Sequence, residues 1–163
     1  MESIRDLQFE NIWKKKDSEL RSKVSEMWLS SRLLTQGEID QRLDDIVIVL
    51  KTPEGKVVGV TTIYKDYLKL IEQHVYLFRC MILPEYRAPG LDTTMVLKTR
   101  DFLESFYKKD VEPRCVGMAM VVQNEEIKKT WKQAIWPGID MVFLGVTPQG
   151  HHLRIYYFKG ATI

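Results

Sequence analysis

Leu83-Pro84-Glu85-Tyr86-Arg87-Ala88-Pro89-Gly90-Leu91-Asp92 lies between two runs of different period. His74 to Ile82 reads as a β-strand, and Thr93 to Tyr107 has helical spacing. A strand that breaks at Pro84, turns through Arg87-x-x-Gly90 and enters a helix leaves backbone N–H groups unpaired at the helix N-terminus. Together with the positive end of the helix dipole, those donors form a seat for a phosphate or pyrophosphate. The plainer alternative is an ordinary turn in which Gly90 supplies a positive φ and Asp92 is only the helix N-cap.

On the N-terminal side, Ile4 to Phe9 alternates loosely and predicts a first, edge strand. Asp17-Ser18 can cap a helix that places Leu20, Val24, Met27, Trp28 and Ser31 on one face. Thr35-Gln36-Gly37-Glu38 has the form of a capping box and opens a short helix through Leu43. Ile46 to Leu50 and Val57 to Tyr64 form a hairpin around Pro53-Glu54-Gly55-Lys56. The connector Lys65 to Gln73 has no defined period.

On the C-terminal side, Val96, Thr99, Phe102, Leu103 and Phe106 line one side of the central helix. Arg114 to Val122 is a strand of buried character, and Asn124 to Ile135 predicts a helix stopped by Pro137-Gly138. Ile139 to Val146 and Leu153 to Phe158 form a last antiparallel pair. The expected order is β-α-α-β-β-β-α-β-α-β-β, a mixed and mostly antiparallel α/β sheet with helices on its faces. No linker, repeat or low-complexity tract breaks residues 1–163, so a single domain is expected.

The chain has 163 residues, 45% hydrophobic and 28% charged, with a net charge of +2. So mild a balance argues against nucleic acid as a partner. No segment approaches the roughly 18 consecutive apolar residues of a membrane span, and no signal-peptide pattern opens the chain. Cys80 and Cys115, both inside apolar strand-like runs, are expected to be buried reduced thiols, which points to a cytoplasmic protein. The adjacent His151 and His152 would point to opposite faces of a strand, so no metal site is expected.

The element order, with strand–Pro–Tyr–Arg-x-x-Gly–helix at its centre, resembles the GNAT-type N-acetyltransferase superfamily. Ile82, Pro84, Tyr86, Arg87 and Gly90 sit at the positions of that family's acetyl-CoA motif, and Asn124 matches a second pattern. The resemblance implies acetyl-CoA as co-substrate and an amine acceptor, unidentified here. Backbone around Cys80 and Ile82 would meet the pantetheine amides, Arg87, Ala88, Gly90, Leu91 and Asp92 would receive the pyrophosphate, and Asn124 would bond the arm or simply cap its helix. The chain departs from the family pattern at Asp92, where Gly or Ala is usual, at Pro89, which removes a loop N–H, and at Trp131, which replaces a tyrosine.

Acyl transfer to an amine needs a proton acceptor and a proton for the departing thiolate. His74 has the right unperturbed pKa for the first task, or is a solvated strand-end histidine. Tyr76, two residues on, fills a position where the family often carries a base, or is a packing aromatic. Glu72 is a further candidate. Glu38, Asp40, Asp44 and Asp45 would attract a cationic amine, or form the solvated face of a short helix. The expected activity is N-acetylation by direct attack in a ternary complex. The alternative is a GNAT-fold protein without acetylation activity, serving as a binding or structural component of an assembly. A terminal strand pair leaves an edge open to pairing in a homodimer.

Overall fold

A computed structural model of the chain describes residues 6–163. Its seven strands follow the order β1-β2-β3-β4-β5-β7-β6 across one sheet. The strands are β1 (Gln8–Asn11), β2 (Ile46–Lys51), β3 (Val57–Leu68), β4 (Gln73–Ile82), β5 (Gly117–Val122), β6 (Val142–Val146) and β7 (His152–Tyr157). Four helices intervene: α1 (Ser18–Ser31), α2 (Gln36–Arg42), α3 (Leu91–Phe106) and α4 (Glu125–Thr130). The chain order is the one expected from the sequence. β1–β2, β2–β3, β5–β7 and β6–β7 pair antiparallel, whereas β4 and β5 run parallel, with Tyr76 opposite Met118 and Leu77 opposite Ala119. The strand expected over Ile4 to Phe9 falls partly outside the described residues; β1 begins at Gln8.

Residues 6–63 and 79–99 form one compact unit, and residues 64–78 and 100–163 a second. In the first unit the starts of α1 and α2 are set by side-chain caps. Asp17 accepts from the N–H of Leu20 at 3.0 Å. Thr35 and Glu38 close the predicted capping box, Thr35 Oγ1 accepting from Glu38 N–H and Glu38 Oε2 from Thr35 N–H. Each such cap is worth about 1 kcal/mol. The predicted face of α1 is buried at Leu20, Val24, Met27 and Trp28, which pack with Ile39, Ile46, Val49, Val57 and Val60.

The second unit has its own apolar cluster of Val75, Leu77, Val116, Ala119 and Ile155, against which Leu68, Ile71, Leu144 and Ala161 pack. The undefined connector is resolved here: β3 continues through Leu68, and only the turn before Gln73 is irregular. β5 begins at Gly117, three residues later than expected. β7 presses on it so closely there that a Cβ on Gly117 would lie 2.2 Å from the Tyr156 carbonyl oxygen.

β6 ends the strand order, but its outer side is not bare. Phe143 N–H donates to the Ala134 carbonyl at 2.8 Å, Ile135 bridges to Val142, and the register slips between Phe143 and Gly145. A bulge and a covering segment blunt an edge strand's capacity to pair.

Candidate acyl-carrier site

The decisive loop lies in the first unit. Leu83 is tied to β3 through its N–H and the Val58 carbonyl (2.8 Å), and a short 3-10 turn from Pro84 to Tyr86 follows. Pro84 suits the first position of that turn, where no internal N–H partner is needed. Gly90, at φ +81°, swings the chain into α3. The turn brings helical geometry in at Leu91, two residues earlier than capping by Asp92 requires. The expectation that Asp92 caps α3 is therefore corrected: it lies inside the first turn, with Oδ1 accepting from Thr93 N–H at 2.8 Å. The Gly90 carbonyl accepts from Thr94 N–H at 3.0 Å.

Not every loop amide is open. Arg87 N–H donates to the Pro84 carbonyl (3.3 Å) and Leu91 N–H to that of Ala88 (3.1 Å), and Pro89 has none to give. The N–H groups of Ala88, Gly90 and Asp92 donate to no protein acceptor among the described residues. These three donors stand at the positive end of the 16-residue α3. The open donors thus lie on alternate residues rather than in a continuous run. Two cations accompany the loop. Arg87 turns Nε onto the Ile82 carbonyl at 3.0 Å, and Lys56 Nζ lies 5.1 Å from the centre of the Tyr86 ring.

β4 carries the other candidates in this unit. Ile82 is buried, and its carbonyl already accepts from Arg87. Cys115, in the second unit, is a buried free thiol, but Cys80 is exposed, correcting the expectation of two buried cysteines. By alternation Cys80 points away from the face used by Arg79 and Met81, and its own face is left uncovered there.

The acidic residues of the α2 region are each engaged. Glu38 closes the capping box, Asp40 accepts from Gln36, Asp44 pairs with Arg21, and Asp45 pairs with Arg79 at 3.0 Å. Burial raises the Asp45 carboxyl above its ordinary value despite the guanidinium beside it. They form local pairs rather than a free anionic patch.

In the second unit, His74 is half-buried, its ring edge-on to Tyr67 with 5.2 Å between centroids. Glu72 is exposed in the turn before β4, at φ +54°. Tyr76 is 2% exposed. Its phenol is pushed well above its usual range, first by burial and then by the Asp110 carboxylate. Such a phenol holds its proton at neutral pH and accepts none from an amine.

The partners of Tyr76 were invisible in the sequence. Lys65 Nζ donates to Asp110 Oδ1 (2.8 Å) and to the carbonyls of Val111 (2.8 Å) and Pro113 (2.9 Å). Burial pushes the Asp110 carboxyl up, but Lys65 and the Tyr76 hydroxyl more than offset this, leaving it below the ordinary range. The Tyr76 hydroxyl and Asp110 Oδ2 influence each other's ionisation without reaching hydrogen-bond geometry. Lys65 and Asp110 stand 45 residues apart, so no local pattern announces them.

Asn124 caps α4, its Oδ1 accepting from Ile127 N–H at 3.1 Å. Its Nδ2 donates to no acceptor among the described residues. The helix stops at Thr130, five residues short of the expected Ile135. The cause is at Trp131, which leaves helical geometry and whose carbonyl is captured by Trp136 Nε1 (2.9 Å) and Arg154 Nη2 (3.3 Å). His151 precedes β7 and His152 opens it, and the described residues contain no cluster fit for a metal ion. No described helix is long and apolar enough to cross a membrane.

A seven-stranded, mostly antiparallel sheet with a parallel central pair, flanked by helices, is the fold of the GNAT acetyltransferases. Solved structures of that class match nearly the whole chain. A GNAT-family acetyltransferase from Streptococcus pneumoniae superposes with a TM-score of 0.58 at 15% identity, over 94% of this chain and 99% of its own. NAA60 from Arabidopsis thaliana, solved with acetyl-CoA, gives 0.61 at 11% identity, over 93% and 99%. AtaTR bound with acetyl-CoA gives 0.61 at 16% identity, over 96% of each chain. No protein-family model matches the sequence, and no curated protein matches it. The chain is a divergent bearer of the GNAT fold.

Proposed function

We propose that the protein is an acetyl-CoA-dependent N-acyltransferase that moves an acetyl group to a primary amine by direct attack. The observation that carries this reading is the set of three unspent N–H donors, at Ala88, Gly90 and Asp92, around the N-terminus of α3. Donors so placed favour a pyrophosphate. Arg87 adds positive charge, and the backbone near Leu91 completes the loop. Acetyl-CoA supplies an activated acyl group and a weakly basic thiolate that leaves without strong assistance.

The remaining roles are assigned residue by residue. In the first unit, the backbone at Cys80 and Ile82 meets amides of the arm. In the second, the free Nδ2 of Asn124 donates to an arm carbonyl while Oδ1 keeps α4 capped. His74 is the proton acceptor of this reading, since Tyr76 keeps its own proton. Nearby structures solved with acetyl-CoA support the choice of carrier.

A second reading has its own support. Arg87 and Leu91 amides are spent inside the loop, and the Asp92 carboxylate stands in the first turn of α3. A GNAT-fold binding or structural component would tolerate both. Melting curves with acetyl-CoA and with free CoA separate the readings: a bound carrier raises the melting temperature by mass action. Absence of any shift at millimolar CoA overturns the enzyme reading. Release of free thiol on adding a panel of primary amines then tests the transfer itself.

A further inference from the structure

Residues 131–135 join α4 to the turn that precedes β6, and none of them is buried. Apolar packing therefore does little to hold them. Polar bonds do that instead. The Ala134 carbonyl accepts from Phe143 N–H at 2.8 Å, and Ile135 bridges to Val142. Arg154 Nη2 donates to the Trp131 carbonyl (3.3 Å) and Nη1 to that of Ala134 (3.5 Å). Trp136 Nε1 shares the Trp131 carbonyl at 2.9 Å. The stretch that follows is anchored differently. Trp136, Ile139 and Met141 are buried, and Arg100 Nη1 takes the Ile139 carbonyl at 2.9 Å. Residues 131–135 are thus a lightly held span that ends at a firmly seated turn.

Arg154 controls how firmly the span is held. It lies in the middle of β7, 2% exposed, and its acceptors among the described residues are all backbone carbonyls, the third being that of Met141 at 3.3 Å. Its Nε has no acceptor among them. A guanidinium kept dry without a carboxylate is costly. It regains water whenever the span lifts, which offsets part of the bonds lost. β6 (Val142–Val146) gives the span a task. Exposed edges commonly resist a further strand by carrying charge, and β6 carries none. Occupying the Phe143 donor falls to Ala134. We propose that residues 131–135 are a strap that opens while the β5–β7 ladder stays intact, and that Arg154 is the clasp that keeps it shut. The strap decides whether Phe143 N–H is spent or open. This inference stands apart from the acyltransferase reading, since every residue in it belongs to the outer margin of the second unit.

Amide hydrogen exchange, read residue by residue at increasing urea below the unfolding transition, tests both claims. In wild type, Phe143 N–H should exchange faster than the β5–β7 amides and at a rate that urea leaves unchanged, the mark of a small local opening. Asp140 N–H, bonded to the Trp136 carbonyl at 2.8 Å within the seated turn, serves as the protected neighbour. Arg154→Met, which removes the charge at similar length, should speed exchange at Phe143 by about tenfold or more. The β5–β7 amides should keep their wild-type rates. Arg154→Lys should lie between the two, because one ammonium does not span carbonyls as a planar fork does. Unchanged Phe143 exchange in Arg154→Met overturns the clasp. Equal acceleration at Phe143, Asp140 and the β5–β7 ladder overturns it as well, leaving Arg154 as a general support of the unit. Should Arg154→Met fail to fold, wild type decides: Phe143 exchange that rises with urea in step with the ladder overturns the strap.

Discussion

Arg87 Nε donates to the carbonyl of Ile82 at 3.0 Å, so the cation of the loop is tied to the last residue of the strand that leads into it. The bond aims the guanidinium and closes the end of β4 at once. Arg87→Ala is expected to cost about 1 kcal/mol of stability, the usual net value of one such bond. It should also lower the melting shift produced by CoA. Urea denaturation reads the first effect and a CoA series the second; an unchanged CoA shift would leave Arg87 with a structural part only.

Asp92 lies within the first turn of α3 and does not cap it. Its carboxylate favours the helix dipole but opposes a phosphate at the neighbouring N–H groups. Asp92→Asn should therefore tighten CoA binding, most at low salt where charges are least screened. The same change should lower stability by about 0.5 kcal/mol. Looser binding in titrations at two ionic strengths would show that the carboxylate helps build the seat.

Lys65 and Asp110 join segments of the second unit through a pair whose carboxylate is almost wholly buried. Lys65→Met should destabilise the protein by about 3 kcal/mol, because Asp110 is left as a buried charge and two carbonyls lose their donor. The pH dependence has a definite sign. In wild type the Asp110 carboxyl lies below its ordinary value, so its contribution is present above the usual carboxylate range and is lost as pH falls through the folded value. In Lys65→Met the carboxyl is raised, so stability should increase on acidification from pH 7 towards the ordinary carboxylate value. Denaturation midpoints of both proteins between pH 4 and pH 7 check this.

Gly117 faces the Tyr156 carbonyl so closely that a methyl group has no room, and the obstacle is backbone rather than a movable side chain. Gly117→Ala should cost about 3 kcal/mol or more through displacement of β7 from β5. A wild-type denaturation midpoint in the variant would mean that the two strands separate there without penalty.

What could be read from the chain alone was whatever is decided within a few residues. Thr35 and Glu38 are three apart and close their box as written; Asp17 caps α1 through the adjacent turn. The central turn at Gly90 was legible for the same reason. Misreadings arose where distant residues intervene. α4 was drawn too long because Ile127 and Trp131 are helically spaced, whereas its end is decided by Arg154, whose guanidinium takes the Trp131 carbonyl. Asp92 looked like a cap because capping residues and first-turn carboxylates share one composition, and only the angle at Gly90 separates them. Tyr76 passed for a candidate base because alternation reports a face, not the acid and lysine waiting there from elsewhere in the chain.

The bulge near Leu144 and the Ala134–Ile135 cover over Val142 and Phe143 bear on association. A foreign strand arriving alongside β6 finds the Phe143 donor already committed and a rim out of step with any regular ladder. Fibre-like growth is thereby discouraged along this margin, and the same irregular segment that pins Trp131 doubles as a guard against it.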